Sequence, residues 1–175
     1  MEYIKDNQRE ELELAYMAGI MDGEGSIRIR KVHQKNEKPE YKYQVAMQMV
    51  NTDYETVKLF ADFMGGTTIR VQDPGYKFRP MTNKTCYQTY KSGTVEVLKY
   101  IKILYPYLRI KKKNADLAIE LCEKGEKFVP RKGMTQGKER ITPEEARRRE
   151  RIFQEYKLII RPQRLNEKIP EMVKR

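Results

Sequence analysis

The 175-residue sequence has no tryptophan, a single histidine (His33) and two cysteines, Cys86 and Cys122. Two thiols so far apart supply neither a zinc cluster nor a disulfide framework. A chain of this length can bury a core that needs neither. His33 lies in a polar loop and reads as an exposed or nucleic-acid-contacting residue rather than a catalyst. No apolar run approaches the roughly 18 residues a membrane helix requires, and no charged start followed by an apolar run marks a signal peptide. The expectation is a soluble, intracellular protein in a reducing compartment, built as one domain or one domain with an appendage.

What the sequence has in excess is positive charge. Lys and Arg number 36 against 25 Asp and Glu, a formal net charge of +11. The distribution is uneven. Residues 1–24 carry 2 bases and 7 acids, net −5, whereas residues 25–113 carry 18 bases and 7 acids, net +11. Residues 114–123 are net −3, and residues 124–175 return to +8. An acidic entry followed by a basic body points to a polyanionic partner, with a merely solvated basic surface as the alternative.

Periodicity places the elements. Residues 10–23 predict a helix that is apolar on more than one side (Leu12, Leu14, Ala15, Met17, Ala18, Ile20, Met21), as a buried helix would be. Ala15, Gly19 and Gly23 recur every four residues, so they share one ridge along which a second helix can approach closely. At Gly23-Glu24-Gly25 the period drops to two. Arg28 and Arg30 then oppose Ile27 and Ile29, and after a loop from His33 to Pro39, Lys42, Gln44, Ala46 and Gln48 oppose Tyr43, Val45, Met47 and Met49. The two runs predict a hairpin with one oily face and one cationic, amide-rich face.

Asn51-Thr52-Asp53 is an N-cap signal for a short helix (Val57, Phe60, Ala61, Met64) closed by Gly65-Gly66. A second strand pair follows, with Thr68, Arg70 and Gln72 opposite Ile69 and Val71, then a loop from Asp73-Pro74-Gly75, then Lys84, Cys86, Gln88 and Tyr90 on one face. Ser92 is expected to cap a helix through Val97, Leu98, Ile101 and Leu104, interrupted at Pro106, and residues 114–123 predict another. The plan is α-β-β-α-β-β-α, an α+β fold whose antiparallel sheet has helices on its apolar face and leaves its cationic face outside. Residues 124–141 predict a basic linker. Thr142-Pro143-Glu144-Glu145 opens a further helix with Ile152, Phe153, Tyr156, Ile159 and Ile160 on one stripe, within an extension covering 142–175.

Glu24 stands at the C-terminal end of a buried helix, where the macrodipole already concentrates negative charge, with Asp22 two residues before it. A carboxylate there calls for a compensating cation or donor, and hard oxygens of this kind suit Mg²⁺. The alternative is a solvated turn bearing two ordinary acids.

The string Met17-Ala18-Gly19-Ile20-Met21-Asp22-Gly23-Glu24-Gly25, opening a basic strand, resembles the signature of the LAGLIDADG homing endonuclease family. The resemblance covers about residues 10–123, within a core domain taken as 1–123, and implies a saddle-shaped sheet seated on double-stranded DNA. It also implies that two signature helices pack along their small-residue ridge. A single copy of the motif then implies a homodimer with Ala15, Ala18, Gly19 and Asp22 at the interface, on a roughly palindromic site. By the same resemblance Glu24, where the family more often shows Asp, binds the metal together with the Gly23 carbonyl. The ion implied is Mg²⁺, with Mn²⁺ or Ca²⁺ able to take its place. Asp22 is assigned to holding the helix end.

The stretch Tyr105-Pro-Tyr-Leu-Arg-Ile-Lys-Lys-Lys-Asn-Ala115 resembles the family's lysine-bearing entry into the last core helix, which makes Lys111 the active-site lysine. Lys112 and Lys113 are taken as phosphate clamps. A polar residue after the second strand would hold the attacking water, with Asn51, Thr52 and Asp53 as candidates and Asp53 alternatively a helix cap. Base reading falls to Ser26, Arg28, Arg30, Lys42, Gln44, Gln48, Arg70, Gln72, Lys84 and Gln88, since Arg suits guanine and Gln adenine at major-groove edges. The function implied is site-specific, divalent-metal-assisted cleavage of both DNA strands in intron homing, by a gene of organellar, phage, bacterial or archaeal origin. The alternatives are an intron RNA maturase on the same fold and a DNA-binding regulator that does not cut.

Overall fold

The computed structural model describes residues 6–35, 41–72, 84–123 and 142–160. The expected Asp73-Pro74-Gly75 turn, the 124–141 linker and everything after Ile160 lie outside these residues. The elements are α1 (Asp6–Gly23), β1 (Gly25–His33), β2 (Tyr41–Asn51), α2 (Tyr54–Phe63), β3 (Ile69–Gln72), β4 (Cys86–Ser92), α3 (Thr94–Leu104), α4 (Lys112–Glu123) and α5 (Pro143–Ile160). The four strands form one antiparallel sheet in the order β1-β2-β4-β3. That order maps onto itself when the α1-β1-β2 and α2-β3-β4 halves exchange, so the sheet has the internal two-fold plan read from the repeat of the pattern.

Odd-numbered residues of β1 and β2 face the helices. Ile27, Ile29, Tyr43, Val45, Met47 and Met49 are buried against Met17, Ala18 and Met21 of α1, Phe60 of α2, Ile101 and Leu104 of α3, and Ala115 and Ala118 of α4. Gly25 is fixed by this packing. A Cβ there would lie 2.2 Å from Met21 Sδ and 3.0 Å from the Met21 carbonyl oxygen. Asp53 caps α2 as expected, its carboxylate accepting from Thr56 N at 2.8 Å and Thr56 Oγ1 at 2.6 Å. Gly65 and Gly66 (φ 81° and 74°) close that helix in the left-handed region open to glycine.

Several local expectations are corrected. The first helix begins at Asp6 rather than residue 10, and α4 begins at Lys112 rather than residue 114. Ser92 is not a helix cap. It ends β4 paired with Ala46, and the N-cap of α3 is Gly93, with φ 134° and no side-chain cap bond. Lys84 lies two residues before β4, outside the sheet. Val71 is 60% exposed, because β3 is a four-residue edge strand from which only Ile69 reaches the core. The outer face of β2 is not uniformly open either. Lys42 is exposed, but Ala46 and Gln48 are buried in the central strand.

The C-terminal helix packs onto the core. Thr142 Oγ1 accepts from Glu145 N at 3.2 Å, half of the expected capping box. Ile152 and Tyr156 are buried, while Ile159 and Ile160 at the end of the stripe are exposed. Polar contacts fasten the helix. Glu150 accepts from Lys31 Nζ at 2.6 Å and from the Tyr43 hydroxyl, and Arg151 pairs with Glu120 of α4 at 2.7 Å.

Candidate nucleic-acid interface and active site

The end of α1 is tied to a distant segment. The Asp22 carboxylate, 8% exposed, accepts three backbone hydrogen bonds: Arg109 N at 2.7 Å, Ile110 N at 3.1 Å and Lys111 N at 2.8 Å. Lys111 Nζ returns a bond to the Asp22 carbonyl oxygen. Burial works against the charged form of Asp22, but the three N–H donors and the Lys111 charge outweigh it and hold its pKa below the ordinary carboxylate value. Partial burial in turn pulls Lys111 below the ordinary lysine range, against the opposing charges of Asp22 and Glu24. Two segments almost ninety residues apart thus place a lysine within electrostatic reach of Glu24.

Glu24 is exposed, and its carboxylate makes no hydrogen bond or ion pair among the described residues; its backbone N–H donates to the Ile20 carbonyl at 2.8 Å. With the Gly23 carbonyl at the helix terminus, it forms a set of hard oxygen donors that suits Mg²⁺ or Ca²⁺. Among the described residues no group of three or more His, Cys, Asp or Glu side chains comes together to hold an ion. The Glu24 carboxylate and the Gly23 carbonyl are donors whose chemistry fits a hard divalent ion.

Asn51 and Asp53 are placed differently. Asn51 Oδ1 accepts from Asp53 N at 2.9 Å, and the Asp53 carboxylate is engaged in capping α2. Strand alternation puts Asn51 with Val45, Met47 and Met49 on the helix-facing side. Local turn chemistry thus engages Asn51 Oδ1 and the Asp53 carboxylate, the latter as the helix cap that the sequence offered as its alternative. Gln48 is the amide that lines the same groove as Lys111. It pairs across β1–β2 with Ser26, and with Ser26, Lys111, Asn114 and Arg28 it lines a groove of 900 Å³ over the sheet. Gln48 and Asn114 are 8% and 9% exposed, and neither side chain has a hydrogen-bond partner among the described residues. Sequence reading missed Asn114. Its one legible signal was its position three residues after Lys111, one helical turn along the same face.

The remaining polar residues form a continuous surface. Ser26, Arg28 and Arg30 of β1, Lys42, Gln44 and Gln48 of β2, Gln88 of β4 and Arg70 and Gln72 of β3 share the even-numbered face by register. Two pairs are already bonded. Arg30 Nη1 donates to the Tyr90 hydroxyl at 3.1 Å, and Gln72 Nε2 donates to Gln88 Oε1. Lys112 Nζ sits 4.8 Å from the centre of the Tyr105 ring, and Lys113 is exposed. Tyr156, Phe153 and Lys157 of α5 wall the groove beside β1.

The small-residue ridge is open in part. Ala15, Gly19 and Gly23 are exposed beside Leu12 (60%) and Tyr16 (63%), and a Cβ built on Gly19 or Gly23 meets nothing within 4 Å. Ala18 and Asp22 are not on that surface. Ala18 is fully buried in the protomer's own core, and Asp22 faces the Arg109–Lys111 turn, because both lie on the side of α1 turned toward β1 and α3.

The same architecture occurs in solved structures. The homing endonuclease I-CvuI, crystallised with DNA in the presence of Mg, is 20% identical with a TM-score of 0.54 over 66% of this chain and 69% of its own. The homing endonuclease I-TnaI is 17% identical, with a TM-score of 0.56 over 88% of this chain and 96% of its own. I-SmaMI bound to cleaved DNA is 11% identical, with a TM-score of 0.58 over 86% of this chain and 51% of its own. At such identities the likeness concerns the fold. No curated protein matches the sequence significantly. A family model described as LAGLIDADG endonuclease matches residues 17–119, from the α1 signature through the sheet to α4, and this chain belongs to the LAGLIDADG homing endonuclease family.

Proposed function

We propose that the protein is a homodimeric endonuclease that cuts both strands of a long, roughly palindromic DNA site, in the manner of intron homing. The observation that carries this reading is the Asp22 clasp, which sets an exposed, unpartnered Glu24 and a partly buried Lys111 at one end of a basic sheet face. A DNA-binding regulator has no use for an unpaired carboxylate against phosphate, where like charges about 4 Å apart repel by about 1 kcal/mol even in water.

Paired along the open ridge of Ala15, Gly19 and Gly23, two copies would bring their Glu24 side chains to one axis, as two-fold symmetry requires. A bound divalent ion would supply charge neutralisation at the scissile phosphate and activation of water. Glu24 and the Gly23 carbonyl would hold it. Lys111 stabilises charge developing on the phosphate, and Gln48, rather than Asn51 or Asp53, orients water from the floor of the groove. Arg28, Arg30, Arg70, Gln44, Gln72 and Gln88 read bases, with Lys112 and Lys113 on phosphates. Residues 1–123 act as the cutting core, and α5 braces it. None of the described helices is long and apolar enough to cross a membrane.

The test is cleavage by the purified protein with Mg²⁺ of a plasmid carrying its gene's intronless insertion site, beside the Glu24→Gln variant. Defined double-strand cuts, lost in the variant while DNA binding persists, support the reading. Binding to the intron's RNA with no cutting under any divalent ion would replace it with the maturase.

A further inference from the structure

We infer that Asn114 is a substrate-contacting residue whose side-chain amide donates to a non-bridging oxygen of the phosphodiester held in the groove beside Lys111. This rests on the nuclease reading above and assigns that site a contact which the family signature does not include.

The case begins with two amide residues that the fold largely buries. Amide groups withdrawn from water are almost always hydrogen-bonded, since each carries donors and an acceptor that must be satisfied. Asn114 is 91% buried and has no partner among the described residues, and Gln48, 92% buried across the same groove, is in the same condition. Yet no side-chain polar atom among the described residues is sealed off without a partner. The free amide atoms therefore keep a narrow opening, and what they open onto is the groove lined also by Ser26, Arg28 and Lys111.

The chemistry of that opening selects the ligand. Asn114 stands in the first turn of the twelve-residue α4, where backbone N–H groups lack intrahelical acceptors and the macrodipole is positive. That turn contains no acidic residue, and it begins with Lys112 and Lys113 directly after Lys111. Arg28, Arg30, Lys111 and two amide side chains line one space beside a helix start, so the occupant is an anion rich in acceptor oxygens. The groove is open along the sheet and not a closed pocket, which fits a phosphate within a continuous strand. The packing reading of Asn114 is weaker, because an amide retained for packing would be bonded to its neighbours.

Two measurements on the full-length protein test this. In the first, the side-chain amide resonances of uniformly ¹⁵N-labelled protein are followed while the dinucleotide dTpdT is added. The Asn114 pair is expected to shift progressively to saturation, and an Asn114 pair that stays fixed overturns the inference. In the second, Asn114→Asp and Asn114→Ala are compared with wild type for cleavage, DNA affinity and melting temperature. Asn114→Asp keeps the shape while replacing the donor with an oxygen that repels phosphate, so it guards against an Ala variant that simply fails to fold. Both variants are expected to lose turnover on the order of 100-fold, the scale of one lost oxyanion donor, with DNA affinity within about threefold in the Ala variant. Variants that cut like wild type overturn the inference and leave the nuclease reading intact. A wild-type protein that cuts nothing while its Asn114 amide responds to dTpdT sinks the nuclease reading and upholds the phosphodiester contact.

Discussion

Replacing Asp22 by Asn removes one charge and one acceptor from the point where α1 meets the Arg109–Lys111 turn. In wild type, Oδ2 receives two N–H groups (2.7 and 3.1 Å) and Oδ1 receives the third (2.8 Å). The amide in Asp22→Asn has one acceptor oxygen, so its best orientation keeps the two bonds from Arg109 and Ile110 and points NH₂ at the Lys111 N–H. One charge-assisted bond is lost, the two survivors weaken, and a buried donor is orphaned. Charged hydrogen bonds contribute about 1.5–3 kcal/mol each and are not additive, which puts the cost at roughly 2–4 kcal/mol. For a chain of this size that lowers the melting temperature by about 5–15 °C, measured at fixed protein concentration because melting of the proposed dimer would depend on it.

The sign with pH is also fixed. Asp22 has a folded-state pKa below its unfolded value, so its contribution is full above about pH 4 and is lost as pH falls through the lower folded value. Thermal melts by circular dichroism at neutral pH and through the acid range are the assay. A melting temperature within about 1 °C of wild type at pH 7, or a gap that does not narrow in acid, would refute the clasp.

Two further outcomes follow from placements seen in the structure. Gly19→Leu should leave the protomer folded, since a Cβ there meets nothing within 4 Å, but should shift sedimentation from dimer to monomer and abolish cutting; a dimeric Gly19→Leu would show that the ridge is not the interface. Glu150→Gln should loosen α5 from the core. Hydrogen bonds from Lys31 and then Tyr43 hold the Glu150 carboxyl down at about 2, so its contribution is full above about pH 4.5 and disappears as pH falls toward 2. With over a third of the side chain exposed, solvent screening limits the effect to about 1 kcal/mol. Hydrogen exchange of the α5 amides should quicken in this variant at neutral pH and match wild type near pH 2, and unchanged exchange at neutral pH counts against the fastening.

Local chemistry is what the sequence determined by itself. Period-two alternation gave β1 and β2 their faces, Asp53 announced the cap of α2, and the glycines after Met64 announced its end, because each signal depends on residues within one turn or one strand. The nine-residue signature and the lysine run marked Glu24 and Lys111 for the same reason. Only the tertiary structure decided which polar residues stand beside them. The register that sets Gln48 opposite Ser26 and turns Asn51 toward the helices depends on strand pairing, which no short window contains. The same holds for Ala18 and Asp22, which share the signature with the open ridge but lie on the other side of α1 once β1 and α3 pack against it. Asn114 drew notice through its burial beside the groove, and burial is a property of the whole fold, set by what packs around a residue and not by its neighbours in the chain.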